Sequence, residues 1–125
     1  MTQTILVVDD DAAIRLLARK TLTDAGFEVA EAADGRQAME RLRQGGCDLV
    51  VLDVIMPRMD GWDVLRLMRA DETMAALPVV MLTVLKEGID VAAGWNLGAD
   101  YYMTKPFCPS DLVDVVRRLV VRGDS

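Results

Sequence analysis

Short apolar runs alternate with longer amphipathic stretches along the whole chain, and this alternation restricts the fold more than any other feature. The apolar runs lie at residues 5–8, 27–32, 49–52, 78–82 and 101–103. After each run, apolar residues recur every three or four positions, which is typical of a helix that packs on one face. Five strand–helix units in this order predict an α/β fold, in which helices cover both faces of a parallel sheet.

The composition of the runs also predicts the order of the strands. The runs at 5–8, 49–52 and 78–82 are almost entirely apolar, as expected of central strands that are buried on both faces. The runs at 27–32 and 101–103 are more polar and suit the two edges. These placements predict a doubly wound (βα)5 sheet with strand order 2-1-3-4-5. A length of 125 residues suits one domain, residues 1–125, and no internal linker is visible.

Many of the aspartates lie where helices are expected to begin. Asp11, Asp34 and Asp60 precede predicted helices, and we expect them to act as caps and turn residues. Trp62 follows the turn at Asp60 and is expected to pack locally.

Polar residues follow four of the five runs, at the points where the strands should end. Asp9 and Asp10 follow the first run, Asp53 the third, Thr83 the fourth and Lys105 the fifth. All strands of a parallel sheet point the same way, so their carboxyl ends meet along one edge. Ligands bind at that edge where the strand order reverses, which here is between the first and third strands. The sequence therefore predicts a site that combines three carboxylates, a hydroxyl and an ammonium group.

The chemistry of these groups favours a hard cation and a phosphoryl group. Three clustered carboxylates repel one another and stay ionised only if a cation offsets them. Oxygen ligands together with water suit Mg²⁺ best. Asp53, nearest the reversal point, could act as a nucleophile, since carboxylates accept phosphoryl groups. Lys105 could pair with a carboxylate or with phosphate oxygens, and Thr83 could donate a hydrogen bond to a phosphate oxygen.

Composition excludes several classes of function. The chain has no histidine, which removes Ser-His-Asp and Cys-His catalysis, histidine zinc sites and phosphohistidine chemistry on this chain. A net charge of −6 argues against direct binding of nucleic acid. The first residues lack the pattern of a signal peptide, and no apolar run is long enough to span a membrane. We therefore expect no membrane association and a cytoplasmic location.

Four motifs resemble those of bacterial response regulator receiver domains. They are ILVVDDD near the start, DLVVLDVIMPRMDGWDVL in the middle, PVVMLT after it, and GADYYMTKPF near the end. The resemblance covers essentially the whole chain. It implies a flavodoxin-like receiver fold and membership of a two-component phosphorelay.

Carried over to the matching positions, the resemblance implies a role for each site residue. Asp53 is the phosphoacceptor. Asp9, Asp10 and Asp53 hold Mg²⁺ together with the backbone carbonyl of Ile55, and Asp10 best matches the family's principal metal carboxylate. Lys105 contacts the phosphoryl group, and the peptide bond that follows it is usually cis.

The resemblance also implies a conformational switch and its partners. Thr83 and Tyr102 form the switch pair, in which the hydroxyl moves toward the phosphoryl group and the aromatic ring turns inward. This remodels the face formed by the fourth helix, the fifth strand and the fifth helix, through which the domain dimerises or binds an effector. The donor is a phosphohistidine on a sensor histidine kinase or a phosphotransfer protein.

Three positions depart from, or vary within, the family pattern. Val84 stands where alanine or glycine is usual, and its bulk is expected to narrow access to Asp53. Ile55 and Leu85 occupy positions that modulate attack of water on the acyl phosphate. Both are apolar, so we expect slower self-dephosphorylation than with polar residues there.

Other functions remain as alternatives to a phosphorylated switch that is not a turnover enzyme. Aspartate-nucleophile phosphatases use similar residues, but they place the nucleophile after the first strand and generally carry cap insertions. A receiver-like module that binds proteins without being phosphorylated is the second alternative. The sequence also leaves open whether the chain is a complete single-domain regulator or part of a longer one.

Overall fold

Each predicted apolar run forms a strand in the computed structural model, which describes residues 2–84 and 98–123. The strands are β1 (Thr4–Val8), β2 (Glu28–Ala32), β3 (Leu49–Asp53), β4 (Val79–Thr83) and β5 (Tyr101–Thr104). The described helices are α1 (Ala12–Asp24), α2 (Gly35–Arg43), α3 (Gly61–Ala70) and a last helix, Pro109–Gly123. The helix predicted around 89–97 lies outside the described residues.

The strands form one parallel sheet in the order β2-β1-β3-β4-β5, which confirms the predicted fold. Every residue of β3 and β4 is buried, whereas only one residue of β2 and one of β5 are buried and the others are partly or fully exposed. The fully apolar strands therefore lie at the centre of the sheet and the more polar strands at its edges. Within residues 2–84 and 98–123, none of the helices has the length and apolar character that a membrane span requires.

Side chains on the two faces of the sheet build two separate cores. Leu6 and Leu52 point toward α2 and α3, while Ile5 and Val51 point toward α1 and the last helix. This alternation is the two-residue period of a strand that is buried on both sides. Because both faces are filled with apolar side chains, polar groups of the central strands can gather only at their ends.

Aspartates cap the first three helices, as predicted. Asp11 accepts the N–H of Ala13 at 2.9 Å, and Asp34 accepts that of Gln37 at 2.8 Å. Asp60 forms a reciprocal capping box with Asp63. Each cap satisfies N–H groups that have no partner within the first turn, and so fixes where each helix leaves the edge of the sheet.

Candidate functional site

The loop after β1 carries two aspartates in different surroundings. Asp9 is completely buried, whereas Asp10 is exposed. The backbone N–H of Asp9 donates to the carbonyl of Ala32 at 3.1 Å, and its Oδ1 accepts the N–H of Asp11 at 2.9 Å. These bonds hold the Asp9 carboxylate at the carboxyl end of the sheet.

Arg15, which the sequence analysis did not select, ties this loop to α1 and β2. Its Nη1 donates to the backbone carbonyl of Asp9 at 2.7 Å, and its Nε lies 3.4 Å from Glu31. The Glu31 carboxylate also pairs with Arg19 at 2.6 Å. The sequence shows Arg15 as a basic residue in the first turns of α1. That position does not predict a contact with a backbone carbonyl.

Asp53 is the last residue of β3 and is 4% exposed. Its Oδ1 accepts the backbone N–H of Ile55 at 3.3 Å and lies 3.1 Å from the Nζ of Lys105. Burial and the neighbouring Asp9 carboxylate raise the pKa of Asp53 to about 6, although Lys105 and the Ile55 N–H both oppose that shift. Asp53 is therefore a carboxylate whose charge the surrounding protein only partly offsets.

Lys105 joins the two buried carboxylates. Its Nζ lies 2.7 Å from Oδ2 of Asp9 and 3.1 Å from Oδ1 of Asp53. Its backbone N–H donates to the carbonyl of Thr83 at 2.7 Å, and its peptide bond to Pro106 is cis, as the resemblance implies. Burial opposes the charge on the ammonium group, but the hydrogen bond to Asp9 and the two carboxylate charges outweigh this and raise the pKa of Lys105.

The three carboxylates form a set of ligands suited to a small hard cation. Asp9, Asp10 and Asp53 each offer an oxygen within 4.8 Å of the other two. Among the described residues, Lys105 pairs with Asp9 and Asp53, so its ammonium group offsets only part of the charge of the three carboxylates. Carboxylate oxygens with open positions for water and phosphate are what Mg²⁺ prefers, and the residues present fit this ion.

The start of α3 lies directly against the backbone of Asp53. The N–H of Gly61 donates to the carbonyl of Val54 at 2.9 Å. A Cβ built on Gly61 would lie 2.2 Å from the carbonyl oxygen of Asp53 and 2.9 Å from Cα of Val54. Only a residue without a side chain allows this approach, so Gly61 fixes the distance between α3 and the end of β3.

The two predicted switch residues lie on the strands next to this cluster. Thr83 is the last residue of β4 and is buried, and Tyr102 is half-buried on β5, paired in register with Met81. The ring of Tyr102 lies 6.1 Å from that of Trp62, with the planes 49° apart. The expectation that Trp62 packs locally is wrong, because its ring contacts Tyr102 on β5, 40 positions further along the chain.

Apolar side chains are exposed at the ends of the two central strands. Ile55 is 49% exposed and follows Asp53, and Val84 is 57% exposed and follows Thr83. Leu85 lies outside the described residues. The effects of Ile55, Val84 and Leu85 on access and dephosphorylation therefore stay predictions, as does metal ligation by the Ile55 carbonyl.

Comparison with known proteins decides the family. The family model described as "Response regulator receiver domain" matches residues 5–117. The chain belongs to the response regulator receiver family. Over 124 residues, this receiver domain is 44% identical in sequence to the DNA-binding response regulator MtrA of Mycobacterium tuberculosis. That match covers 99% of this chain and 53% of MtrA, so the chain spans about half the length of the curated relatives it matches.

Solved receiver structures share the whole fold. The chemotaxis protein CheY4 of Vibrio cholerae is 34% identical with a TM-score of 0.89, covering 95% of this chain and 99% of CheY4. NtrX of Brucella abortus is 30% identical with the same TM-score, covering 99% of this chain and 28% of NtrX. These matches confirm the receiver fold that the motif resemblance implies.

Proposed function

We propose that this receiver domain is a cytoplasmic phosphoacceptor switch, in which Asp53 takes a phosphoryl group from a phosphohistidine of a sensor histidine kinase or a phosphotransfer protein. Phosphorylation then changes the face formed by the segment before β5, β5 itself and the last helix. The chain acts as a switch that assists its own phosphorylation and dephosphorylation, and not as a turnover enzyme.

The observation that carries this proposal is the Lys105 ammonium group between Asp9 and Asp53. Distances of 2.7 Å and 3.1 Å place one cation against two buried carboxylates at the point where the strand order reverses. A structural ion pair needs one carboxylate, whereas this cluster holds three within 4.8 Å of one another. Such an arrangement costs stability unless further positive charge enters the site.

The residues present can perform the transfer. A carboxylate oxygen of Asp53 attacks phosphorus, a P–O bond forms, and the P–N bond to the donor imidazole breaks, so that the electron pair leaves with the imidazole nitrogen. When bound by Asp9, Asp10 and Asp53, Mg²⁺ supplies positive charge that offsets the charge on the phosphoryl oxygens. Lys105 can follow the new phosphoryl group, because its ammonium already contacts Asp53.

The switch follows from what the phosphoryl group attracts. Thr83 is the last residue of β4, which pairs with β3, and from there its hydroxyl would donate to a phosphoryl oxygen on Asp53. Movement of Thr83 changes the space beside Tyr102 on the neighbouring β5. Both conformations exist before phosphorylation. The phosphoryl group shifts the equilibrium toward the conformation with which it interacts more favourably, and this difference in free energy sets the size of the shift.

A single experiment separates the receiver from its alternatives. The chain is incubated with Mg²⁺ and acetyl phosphate, and intact mass and phosphate release are followed with time. We expect a mass gain of one phosphoryl group that requires Mg²⁺, occurs in Asp114→Asn and is absent in Asp53→Asn. Asp114 is an exposed carboxylate on the last helix and serves as the matched control.

The other outcomes would each overturn the proposal. Continuous release of phosphate over many turnovers would identify a hydrolase. No adduct with acetyl phosphate, and none with beryllofluoride, would identify a module that binds proteins without being phosphorylated.

Exposed leucines on α1 predict where the phosphodonor protein docks. Leu16 is 67% exposed and Leu17 is 41% exposed, and α1 begins directly after the aspartates of the β1 loop. We expect Leu16→Asp to slow phosphorylation by a histidine kinase about tenfold, because a charge at the centre of an apolar contact costs more than 1 kcal/mol. The rate with acetyl phosphate should stay unchanged, since this small donor needs no docking surface.

Leu67→Asp is the control for this prediction. Leu67 is 43% exposed on α3 and offers a similar apolar side chain on a different helix. Any histidine kinase that phosphorylates the wild-type chain in vitro can be used. Equal slowing by both variants, or slowing with acetyl phosphate as well, would contradict docking on α1.

Ile55 is expected to lengthen the lifetime of the acyl phosphate. Its exposed side chain stands two residues beyond Asp53 and cannot orient water by hydrogen bonding. Ile55→Asn supplies an amide that can position the attacking water, so we expect the phosphoryl group to be lost severalfold faster after the donor is removed. Ile55→Leu, which stays apolar, should decay like the wild type, and equal lifetimes in all three proteins would contradict this role.

A further inference from the structure

Two aromatic rings meet between α3 and β5, near the candidate site. The centroids of Trp62 and Tyr102 are 6.1 Å apart and their planes are tilted by 49°. Both side chains are half-buried and pack against the core on the α2 and α3 face. Tilted aromatic pairs at this distance attract one another beyond the burial of their surfaces. The contact therefore stabilises one position of the Tyr102 ring.

Tyr102 packs against the core on the α2 and α3 face and against the ring of Trp62. β5 is an edge strand, and the neighbouring Tyr101 is 41% exposed. An aromatic side chain on such a strand has an outward alternative, in which its hydroxyl is hydrated but its ring loses buried apolar contact. Trp62 covers Tyr102 from the side of α3, and is the ring partner that the structure records for it.

Trp62 adjoins a glycine that contacts the backbone at the end of β3. It follows Gly61, whose N–H donates to Val54 at 2.9 Å and whose Cα leaves no room for a Cβ beside Asp53. The capping box of Asp60 holds the same turn. Through Gly61, the Trp62 ring is thereby tied to the backbone at the end of β3.

We propose that Trp62 is a positioning residue for Tyr102: its ring holds the Tyr102 ring half-buried and couples the start of α3 to the surface of β5. The effect on phosphorylation rests on the proposed function, in which the inward aromatic accompanies the phosphorylated state. Trp62 then raises the population of that state before phosphorylation, and so raises the affinity of the site for a phosphoryl group.

Fluorine NMR tests the contact directly, because the chain contains only two tyrosines. Both are replaced by fluorotyrosine, and Tyr101→Phe assigns the two signals. The shift of each signal between H₂O and D₂O reports the solvent exposure of its ring. We expect the Tyr102 signal to become as solvent-sensitive as that of Tyr101 in Trp62→Leu, and to stay protected in Trp62→Phe.

Unchanged protection of Tyr102 in Trp62→Leu would overturn the proposal. Trp62→Met is measured alongside, so that an answer remains if the leucine variant does not fold. An unchanged Tyr101 signal and cooperative thermal unfolding identify a folded variant.

Beryllofluoride binding in the presence of Mg²⁺ tests the coupling to the site. We expect Trp62→Leu to weaken this binding about two- to tenfold relative to Trp62→Phe, the range that loss of one aromatic contact allows. Equal affinities, with Tyr102 exposed in Trp62→Leu, would overturn the coupling. If the wild type itself binds no beryllofluoride, the proposed function fails, while the solvent shifts still decide whether Trp62 positions Tyr102.

Discussion

Asp53→Asn is expected to raise the free energy of unfolding by about 1–2 kcal/mol at pH 7 in the absence of divalent cations. Asparagine keeps the shape of the side chain and removes a charge that burial and Asp9 both disfavour. A shift of the pKa from 3.8 to about 6 corresponds to about 3 kcal/mol. Solvent on the exposed side of the cluster, at Asp10, screens part of this energy.

The effect has a defined dependence on pH. The pKa of Asp53 is higher in the folded than in the unfolded chain, so its contribution to stability is fully present below about pH 4 and is lost as the pH rises through about 6. The stability gained by Asp53→Asn should therefore be near zero at pH 4, grow through this window and level off above it. Urea unfolding of both proteins at several pH values, with EDTA present, measures the difference.

Mg²⁺ should reverse part of this gain. An ion that binds the folded chain through ionised carboxylates stabilises it, and the wild type offers three carboxylates where Asp53→Asn offers two. The gap between the two proteins should therefore narrow on addition of Mg²⁺ at pH 7. Asp114→Asn, which removes an exposed carboxylate on the last helix, is measured as the control. A constant difference at all pH values would show that burial of the Asp53 charge costs nothing.

The fold could be predicted from sequence because it depends on signals that repeat. Apolar runs such as Ile5–Val8 are uniform where both faces are buried, and the more polar runs mark the edges of the sheet. The candidate site followed from the fold, since the ends of parallel strands must share one edge. Asp9, Asp53 and Lys105 therefore meet although 96 positions separate the first from the last.

The contacts of single side chains could not be predicted in the same way. The sequence shows two adjacent aspartates, but it does not show that Asp9 is buried against Lys105 while Asp10 is exposed. Arg15 contacts a backbone carbonyl, which leaves no pattern in the sequence. Trp62 meets a ring 40 positions away because of how α3 and β5 are placed. Each depends on packing distances and side-chain directions, which periodicity does not determine.

Gly61→Ala should have the largest effect of any small substitution near the site. The new Cβ would lie 2.2 Å from the carbonyl oxygen of Asp53, which is backbone and cannot rotate away. Either α3 or the end of β3 must move, and we expect a loss of about 2–4 kcal/mol in the free energy of unfolding. Since a displacement of about 1 Å can cost roughly a hundredfold in rate, phosphorylation by acetyl phosphate should slow by about that factor.

Gly35→Ala is a matched control, because Gly35 also begins a helix directly after an aspartate cap. There the added Cβ meets the side chain of Met59, at 2.7 Å from its Cγ and 2.9 Å from its Cβ, so Met59 must shift, but the three nearest atoms include no backbone atom. We expect a smaller cost than for Gly61→Ala, since a side chain gives way more readily than backbone and alanine favours the helix more than glycine does. Urea unfolding and the rate of acetyl phosphate labelling are measured for both variants.

Similar losses in the two proteins would mean that the approach of α3 to Asp53 imposes no special constraint. A loss of stability in Gly61→Ala without slower labelling would mean that the position of β3 relative to α3 does not govern the chemistry of Asp53.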